Sequence, residues 1–238
     1  MTENNNFFKG IKDGLPICIG YFAVSFAFGI TAVGMGLSWV EALLISMTNL
    51  TSAGQLAGAP IIAGGGSLIE MAVSQLVINS RYALMSVSLS QKLGQSVKLR
   101  HKLLIAFGNT DENFAVAMSN KDAVGKKYMF GLILTPVLGW TSGTFFGAIA
   151  DNILPAVVIS ALGIAIYGMF VAIVVPVMKK QKPVLFCVLL AIALSCAFEY
   201  LPILSKIPDG FVIIICAVAA SAIFAVISPV PVEKEAEK

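Results

Sequence analysis

The sequence predicts an all-α polytopic membrane protein: six full transmembrane helices plus two broken or re-entrant elements. Three observations predict it: an excess of apolar residues, a scarcity of charge, and a run of apolar stretches of bilayer length. Of 238 residues, 58% are hydrophobic and only 12% charged, against roughly 45–50% and about 25% in a soluble domain. Mean hydropathy is +0.89. So few charges cannot cover a soluble fold of this size, which excludes a cytosolic enzyme, a nucleic-acid binder and a disordered chain. A crossing helix needs about 20 apolar residues, so at most about eight crossings fit and no room remains for a separate soluble domain.

In chain order the apolar spans are Leu15–Leu37, Ala42–Ala63, Ser67–Ser90, a short one at Leu103–Ser119, then Tyr128–Ala150, Ile153–Met178, Val184–Leu201 and Gly210–Ile227. Leu15–Leu37 is too long for a signal-peptide core, and no small-x-small cleavage site ends it, so it is expected to stay as the first membrane helix. The expected organisation is a cytoplasmic segment over 1–14, one transmembrane domain over 15–227 and a cytoplasmic tail over 228–238.

Charge then sets the topology. Four clusters hold most of the 16 basic residues: Lys9 and Lys12; Lys92, Lys98, Arg100 and Lys102; Lys121, Lys126 and Lys127; and Lys179, Lys180 and Lys182. The positive-inside rule puts all four on the cytoplasmic side. Three apolar spans separate Lys12 from Lys92, and one short span separates Lys102 from Lys121, yet each pair of ends wants the same side. Two spans are therefore expected not to cross. Ala42–Ala63 carries Asn49, Thr51, Ser52, Gly54, Gln55, Gly58 and Pro60, and three glycines follow it. Leu103–Ser119 carries Gly108, Asn109, Thr110, Asp111 and Glu112 near its middle. Irregular backbone at membrane depth is tolerated only where protein or a watery cavity surrounds it. The alternative is eight crossings, which leaves the Lys92–Lys102 cluster outside.

Few ionisable residues lie within the spans: Glu70, Arg81, Asp111, Glu112 and Glu199. A charge at the bilayer centre costs about 2.5–3.5 kcal/mol on insertion scales, so each needs a partner or a wet path; Glu199 and Asp151, near span ends, read as interfacial. On a helical projection of the third span, Glu70, Ser74, Arg81 and Ser88 share one strip. Gln75, Asn79, Tyr82 and Ser86 share the next, and Ile69, Val73, Leu76, Ala83, Leu84 and Val87 lie opposite. A helix polar on half its circumference faces protein or a cavity. Glu70 and Arg81 are about 16 Å apart along the axis, too far to pair. Arg81 either ties two helices together through a carboxylate, or lines a path and holds a gate or a substrate carboxylate. Asp111 and Glu112 point about 100° apart. One is expected to pair with Arg81 or cap a broken helix; the other faces the cavity and is a candidate for proton coupling.

Broken helices offer amides at one terminus for an anionic group and carbonyls at the other for a cation, which together suit a zwitterion. Gly139, Gly143 and Gly147 share one helical face and predict close helix packing. Cys18, Cys187, Cys196 and Cys216 lie in apolar stretches without CxxC spacing and read as packing residues. His101, in a basic loop, reads as solvated. No cofactor or metal site is expected. No phosphate loop of the GxxxxGKS/T type, no HExxH and no GxSxG occurs.

Four motifs, in order, resemble a known family. Gly10-Ile11-Lys12-Asp13-Gly14-Leu15-Pro16 with Ala27-Phe28-Gly29 is similar to the opening of the AzlC family of bacterial branched-chain amino-acid permeases. Thr51-Ser52-Ala53-Gly54-Gln55 stands where that family has A-G-x-x-Q, Asn79-Ser80-Arg81-Tyr82 where it has an N-x-R-H-type motif, and Phe107-Gly108-Asn109-Thr110-Asp111-Glu112 where it has F-x-x-T-D-E. The resemblance covers roughly residues 7 to 225. Thr51-Ser52 and Tyr82 depart from the family pattern. The resemblance implies the large subunit of a two-component exporter of leucine, isoleucine or valine, and methionine as a further substrate. It implies a small hydrophobic AzlD-type partner subunit and a bacterial plasma-membrane location with both termini cytoplasmic. The residues expected to line or gate the path are Arg81, Asn79, Gln55, Asp111, Glu112, Tyr82, Gln75 and Asn49. Two other readings remain. One is a passive channel or assembly subunit without its own substrate. The other is an intramembrane hydrolase, disfavoured because its two carboxylates would be sequence neighbours rather than converging from separate segments.

Overall fold

The computed structural model describes residues 3–150, 157, 168, 171, 174–202, 204 and 207–228. Two long helices form its spine, α1 (Phe7–Gly34) and α8 (Lys126–Ala150). They run parallel: Gly10 abuts Tyr128 and Leu132, Gly139 abuts Cys18, and Gly29 abuts Thr144 and Ala148. A side chain at Gly10, Gly29, Gly131, Gly139, Gly143 or Gly147 would run into backbone of the partner helix. The expected glycine face of α8 is therefore the seat of α1, and small residues on both sides let the backbones touch. Each helix is preceded by a short strand, and β1 (Glu3–Asn4) pairs in parallel with β2 (Ala123–Val124). At 1.5 Å per residue α1 is about 42 Å long and α8 about 38 Å.

The apolar segment after α1 breaks into α2 (Trp39–Thr48) and α3 (Ser52–Ala63). Ser38 and Glu41 form a capping box, with 2.7 Å bonds from the Ser38 amide and hydroxyl to the Glu41 carboxylate. Those bonds, the hydroxyl's first, hold the Glu41 carboxyl below its usual pKa. α2 stops at Asn49, which is extended (φ −141°), and the Asn49 side-chain oxygen accepts from the Thr51 amide at 3.2 Å and hydroxyl at 2.7 Å. There the chain reverses. Gln55 donates back to Ser46 at 2.7 Å. Ala59, near the end of α3, clusters with Leu37 just before α2, with Ala42 at its start, and with Ala27, Phe28, Ala32 and Ala148. The segment thus leaves at the end where it came in, as its broken-helix composition predicts. Gly65, at φ +65°, supplies the left-handed turn that follows.

The third span is expected as one helix and is instead two, α4 (Leu68–Asn79) and α5 (Arg81–Lys92). Ser80 keeps right-handed helical dihedrals, so the axis continues, but its amide and hydroxyl both bond the Val77 carbonyl at 3.4 and 2.9 Å. A serine hydroxyl competing for a helix carbonyl loosens the i→i−4 ladder. α4 runs antiparallel to α3, with Gly58 against Met71 and Gln75 and Gly54 against Gln75 and Asn79. Leu68, Ile69, Leu76, Leu84 and Val87 are exposed, so the apolar face points outward as the projection requires.

A second hairpin follows, α6 (Leu99–Phe107) and α7 (Asp111–Ser119). His101 is not in a loop but in the first turn of α6, where its Nδ1 accepts from the Lys98 amide at 3.1 Å. Partial burial, then Lys126, Arg100 and Lys98, push its pKa below the ordinary value. α6 passes from the Ser96–Lys126 bond to Gly108, which packs on Ile133. α7 then returns until Asn120 meets Tyr128 and Asn4, both at 3.0 Å. Lys92 donates to the Asn120 carbonyl, and Gly94 to Val124 at 2.9 Å. The starts of α1 and α8, the end of α5 and both ends of this hairpin therefore gather together. Three of the four basic clusters lie there, so we call it the basic end. The two hairpins enter from opposite ends.

α9 (Lys182–Tyr200) and α10 (Asp209–Ile227) pack together. α10 starts beside Glu70, and Lys180 and Lys182 share a cavity with Phe224 and Ser228 at its far end. Helices α1, α8, α9 and residues Gly210–Ile227 of α10 are long and apolar enough to cross a membrane. The expected span Ile153–Met178 lies mostly outside the described residues, as does Asp151. The four cysteines are free, and no group of three potential metal ligands occurs among the described residues.

Candidate functional site

The two hairpin tips face each other across a cavity of about 690 Å³. Leu50, Ser52 and Ala53 line it from the first tip, and Thr110, Asp111 and Glu112 from the second. Ile78, Arg81 and Tyr82 line it from the α4–α5 junction. Pro16, Ile17, Gly20, Tyr21 and Val24 of α1 and Trp140 of α8 complete the wall. Backbone and sequence together explain why charge collects here. Helix N-termini carry positive partial charge, and α7 begins with Asp111 and Glu112 in its first turn, capped by Thr110 accepting from Asn113 at 3.4 Å. α3 begins at the same depth with no side-chain cap, so its first amides face the cavity uncapped by any side chain.

Arg81 crosses from α5 to α7. Its Nη1 reaches both Asp111 oxygens, at 2.6 and 2.5 Å, its Nη2 donates to the Tyr82 hydroxyl at 3.2 Å, and its guanidinium lies 4.8 Å from the centre of the Tyr82 ring. About half of each ion-pair side chain stays open to the cavity, 49% for Arg81 and 47% for Asp111. Glu112 turns the other way and accepts from the Tyr21 hydroxyl. The acidic pair is thus split as their angular separation requires: one carboxylate on the arginine, the other on α1. The rest of the lining includes the apolar side chains Val24, Leu50 and Ile78 and the rings of Tyr21 and Trp140, which meet edge to face at 5.1 Å.

A neighbouring space lies toward the basic end. Pro16 also lines this second space, of about 910 Å³, with Lys9, Lys12, Asp13, Val116, Asn120 and Lys121. Both spaces follow one groove between α1 and α7. Toward the other end the way is closed by the packed cluster of Ala27, Phe28, Ala32, Leu37, Ala42 and Ala59 and by a chain of buried hydrogen bonds. In that chain the Trp140 indole donates to Gln55 at 2.8 Å, Gln55 donates to Ser46 at 2.7 Å, and Ser46 shares a 2.7 Å bond with Thr144.

Of the residues expected at the site, Arg81, Tyr82, Asp111 and Glu112 line the cavity. Gln55, Gln75, Asn79 and Asn49 do not line it; they hold its walls. Gln75 donates to the Gly54 carbonyl at 2.9 Å and accepts from Asn79 at 3.1 Å, fastening α3 to α4, while Asn49 shapes the first tip. Sequence reasoning missed Tyr21, Thr110 and Trp140. Tyr21 and Trp140 carry a polar group on an aromatic body inside an apolar span, the one signal that was available. The side-chain oxygens of Asn79, Asn109 and Asn113 are buried without a hydrogen-bond partner among the described residues. Gln55→Met is expected to lower stability by about 1–3 kcal/mol, because it leaves the Trp140 indole N–H buried and unpaired; thermal unfolding of the purified protein measures it.

Residues 16–154 match the family described as "AzlC protein". A protein of Archaeoglobus fulgidus described as "Uncharacterized membrane protein" is 33% identical over 183 residues, 76% of this chain and 80% of that protein. "Inner membrane protein YgaZ" of Escherichia coli is 31% identical over 184 residues, 74% of this chain and 75% of that protein. No solved structure matches the chain at a significant level.

Proposed function

This chain belongs to the AzlC family, a family of multi-pass membrane proteins linked to amino-acid transport, and on that premise we propose that it is a secondary exporter of branched-chain amino acids and methionine. The observation that carries the reading is the cavity between opposed hairpin tips, whose lining combines Arg81, Asp111 and Glu112 with apolar side chains. An α-amino acid fits this combination. Its carboxylate meets the Arg81 guanidinium and the uncapped amides of α3. Its ammonium meets Glu112. Its hydrocarbon side chain lies against Val24, Leu50, Ile78 and Trp140. Arg81 stays charged at any working pH, so the carboxylate subsite is permanent, and its pairing with Asp111 keeps it from being a lone buried cation when the site is empty.

The basic end is the cytoplasmic end in this reading, so the groove between α1 and α7 is the intracellular way in, and both termini are cytoplasmic in the bacterial plasma membrane. The packed cluster around Ala42 and Ala59 is the closed outer gate. Glu112 is the group that exchanges a proton, through its contact with Tyr21. The chain works as the large subunit beside a small hydrophobic AzlD-type membrane protein.

Proteoliposomes carrying the chain, with and without the small co-encoded membrane protein, are expected to show saturable leucine counterflow that lysine and glutamate do not compete. Flux that never saturates would identify a channel instead. Glu112→Gln is expected to flatten the pH dependence of leucine efflux. An unchanged pH profile would remove Glu112 from coupling and leave the binding assignment standing.

A further inference from the structure

A third space of about 420 Å³ lies near the end opposite the basic clusters, lined by Leu56, Ala57, Pro60, Ile61, Glu70 and Ile213, with Gly64, Gly66 and Pro208 at its edge. Glu70 is its one ionisable residue and is only 6% exposed. Its carboxylate is built in closely. Oε1 accepts from the Gly210 amide at 3.0 Å. A Cβ on Gly210 would come 2.6 Å from the Glu70 Cγ, and one on Gly66 3.0 Å from Oε2. The N-termini of α4 and α10 both end on this group, so their backbone dipoles lie against it. No cation pairs with it among the described residues. A buried carboxylate with no cation beside it among the described residues, in an otherwise apolar space, is a receptor for a cation that carries hydrocarbon.

Its place relative to the central cavity gives it a role. Ala53 lines the central cavity, while Leu56, Ala57 and Pro60 line the outer one. These four positions lie on a single strip of α3, and the linings begin about 5 Å apart along its axis. On α4, Ile78 lines the central cavity and Glu70 the outer one, with the fully buried Ser74 between them at four-residue steps. The linings of the two spaces therefore follow one seam between α3 and α4.

We propose that the outer cavity is an exit subsite in which Glu70 takes the ammonium group of a departing amino acid while Leu56, Ile61 and Ile213 take its side chain. This rests on the transport reading. The substrate moves along one face of α3 from the Glu112 carboxylate to the Glu70 carboxylate, so its positive charge is not left unpaired in the apolar seam.

The test uses the full chain in proteoliposomes, with Cys18, Cys187, Cys196 and Cys216 replaced by alanine and a single cysteine introduced by Ala53→Cys or Ala57→Cys. N-ethylmaleimide is the probe and leucine the protectant. Leucine is expected to slow labelling at both positions at least threefold. Adding Glu70→Gln is expected to abolish protection at position 57, leave it at position 53, and slow leucine efflux at least tenfold. Glu70→Asp, which keeps the charge, is expected to restore part of both. Protection at 53 but not at 57, or efflux from Glu70→Gln within twofold of the parent, overturns the exit subsite and leaves the transport reading intact. Absence of both protection and wild-type counterflow overturns the two together. Should the glutamine variant fail to insert, labelling at position 57 with Glu70 present decides alone.

Discussion

Arg81→Ala is expected to cut leucine counterflow at least a hundredfold while the protein stays in the membrane at close to its normal level. The guanidinium has two jobs. It braces α5 against α7 through Asp111, and in the proposed function it holds the substrate carboxylate. The double variant Arg81→Ala/Asp111→Ala separates them. Removing arginine alone leaves an unpaired carboxylate in mid-bilayer, a cost of about 2.5–3.5 kcal/mol unless it is protonated. Removing both leaves none. If the pair were only a brace, the double variant would regain much of the flux, because the cavity would no longer contain an orphan charge. If Arg81 meets the substrate, the double variant is as inactive as the single one. Counterflow normalised to reconstituted protein measures both, and recovery in the double variant would remove Arg81 from the substrate path.

Gly143→Leu is expected to destabilise the protein by about 3 kcal/mol or more. A Cβ at this position would run into the Phe22 carbonyl and the Ser25 hydroxyl of α1. The obstacle is mainly backbone, which cannot swing aside as a side-chain end can, so the helices must separate along the spine to which the first hairpin and β1 are attached. Gly34→Leu is the matched control. No atom lies within 4 Å of where its Cβ would sit, so its stability is expected to stay within about 1 kcal/mol of wild type. Thermal unfolding and elution from a sizing column in detergent report both. A Gly143→Leu protein that melts and elutes like the parent would mean that the α1–α8 contact is not the spine of the fold.

Much of this architecture was legible without coordinates. The two broken elements betrayed themselves through residues costly in lipid, Asn49 and Gln55 in one, Asn109 to Glu112 in the other, and through the parity of the basic clusters. The outward face of α4 and α5 was legible because lipid selects hydrocarbon wherever a side chain meets it. The break at Ser80 was not, since a serine in a helix bends it only where its hydroxyl captures a carbonyl. The division of labour among the polar residues was equally hidden. Gln55, Gln75 and Asn79 look as much like path residues as Arg81 does; whether an amide reaches the cavity or a neighbouring carbonyl depends on where the next helix lies.

By itself, the sequence determined that this chain lives in lipid, which two stretches are broken, and which few charges require company there, because transfer free energy sums over residues and takes little account of their partners. Only the tertiary structure decided who the partners are. Arg81 and Asp111 are 30 residues apart, Tyr21 and Glu112 91, and they meet because two hairpins inserted from opposite ends stop at the same depth against α1 and α8. That depth is set by how closely glycine-faced helices pack and by where each tip turns, and no local pattern of residues encodes either.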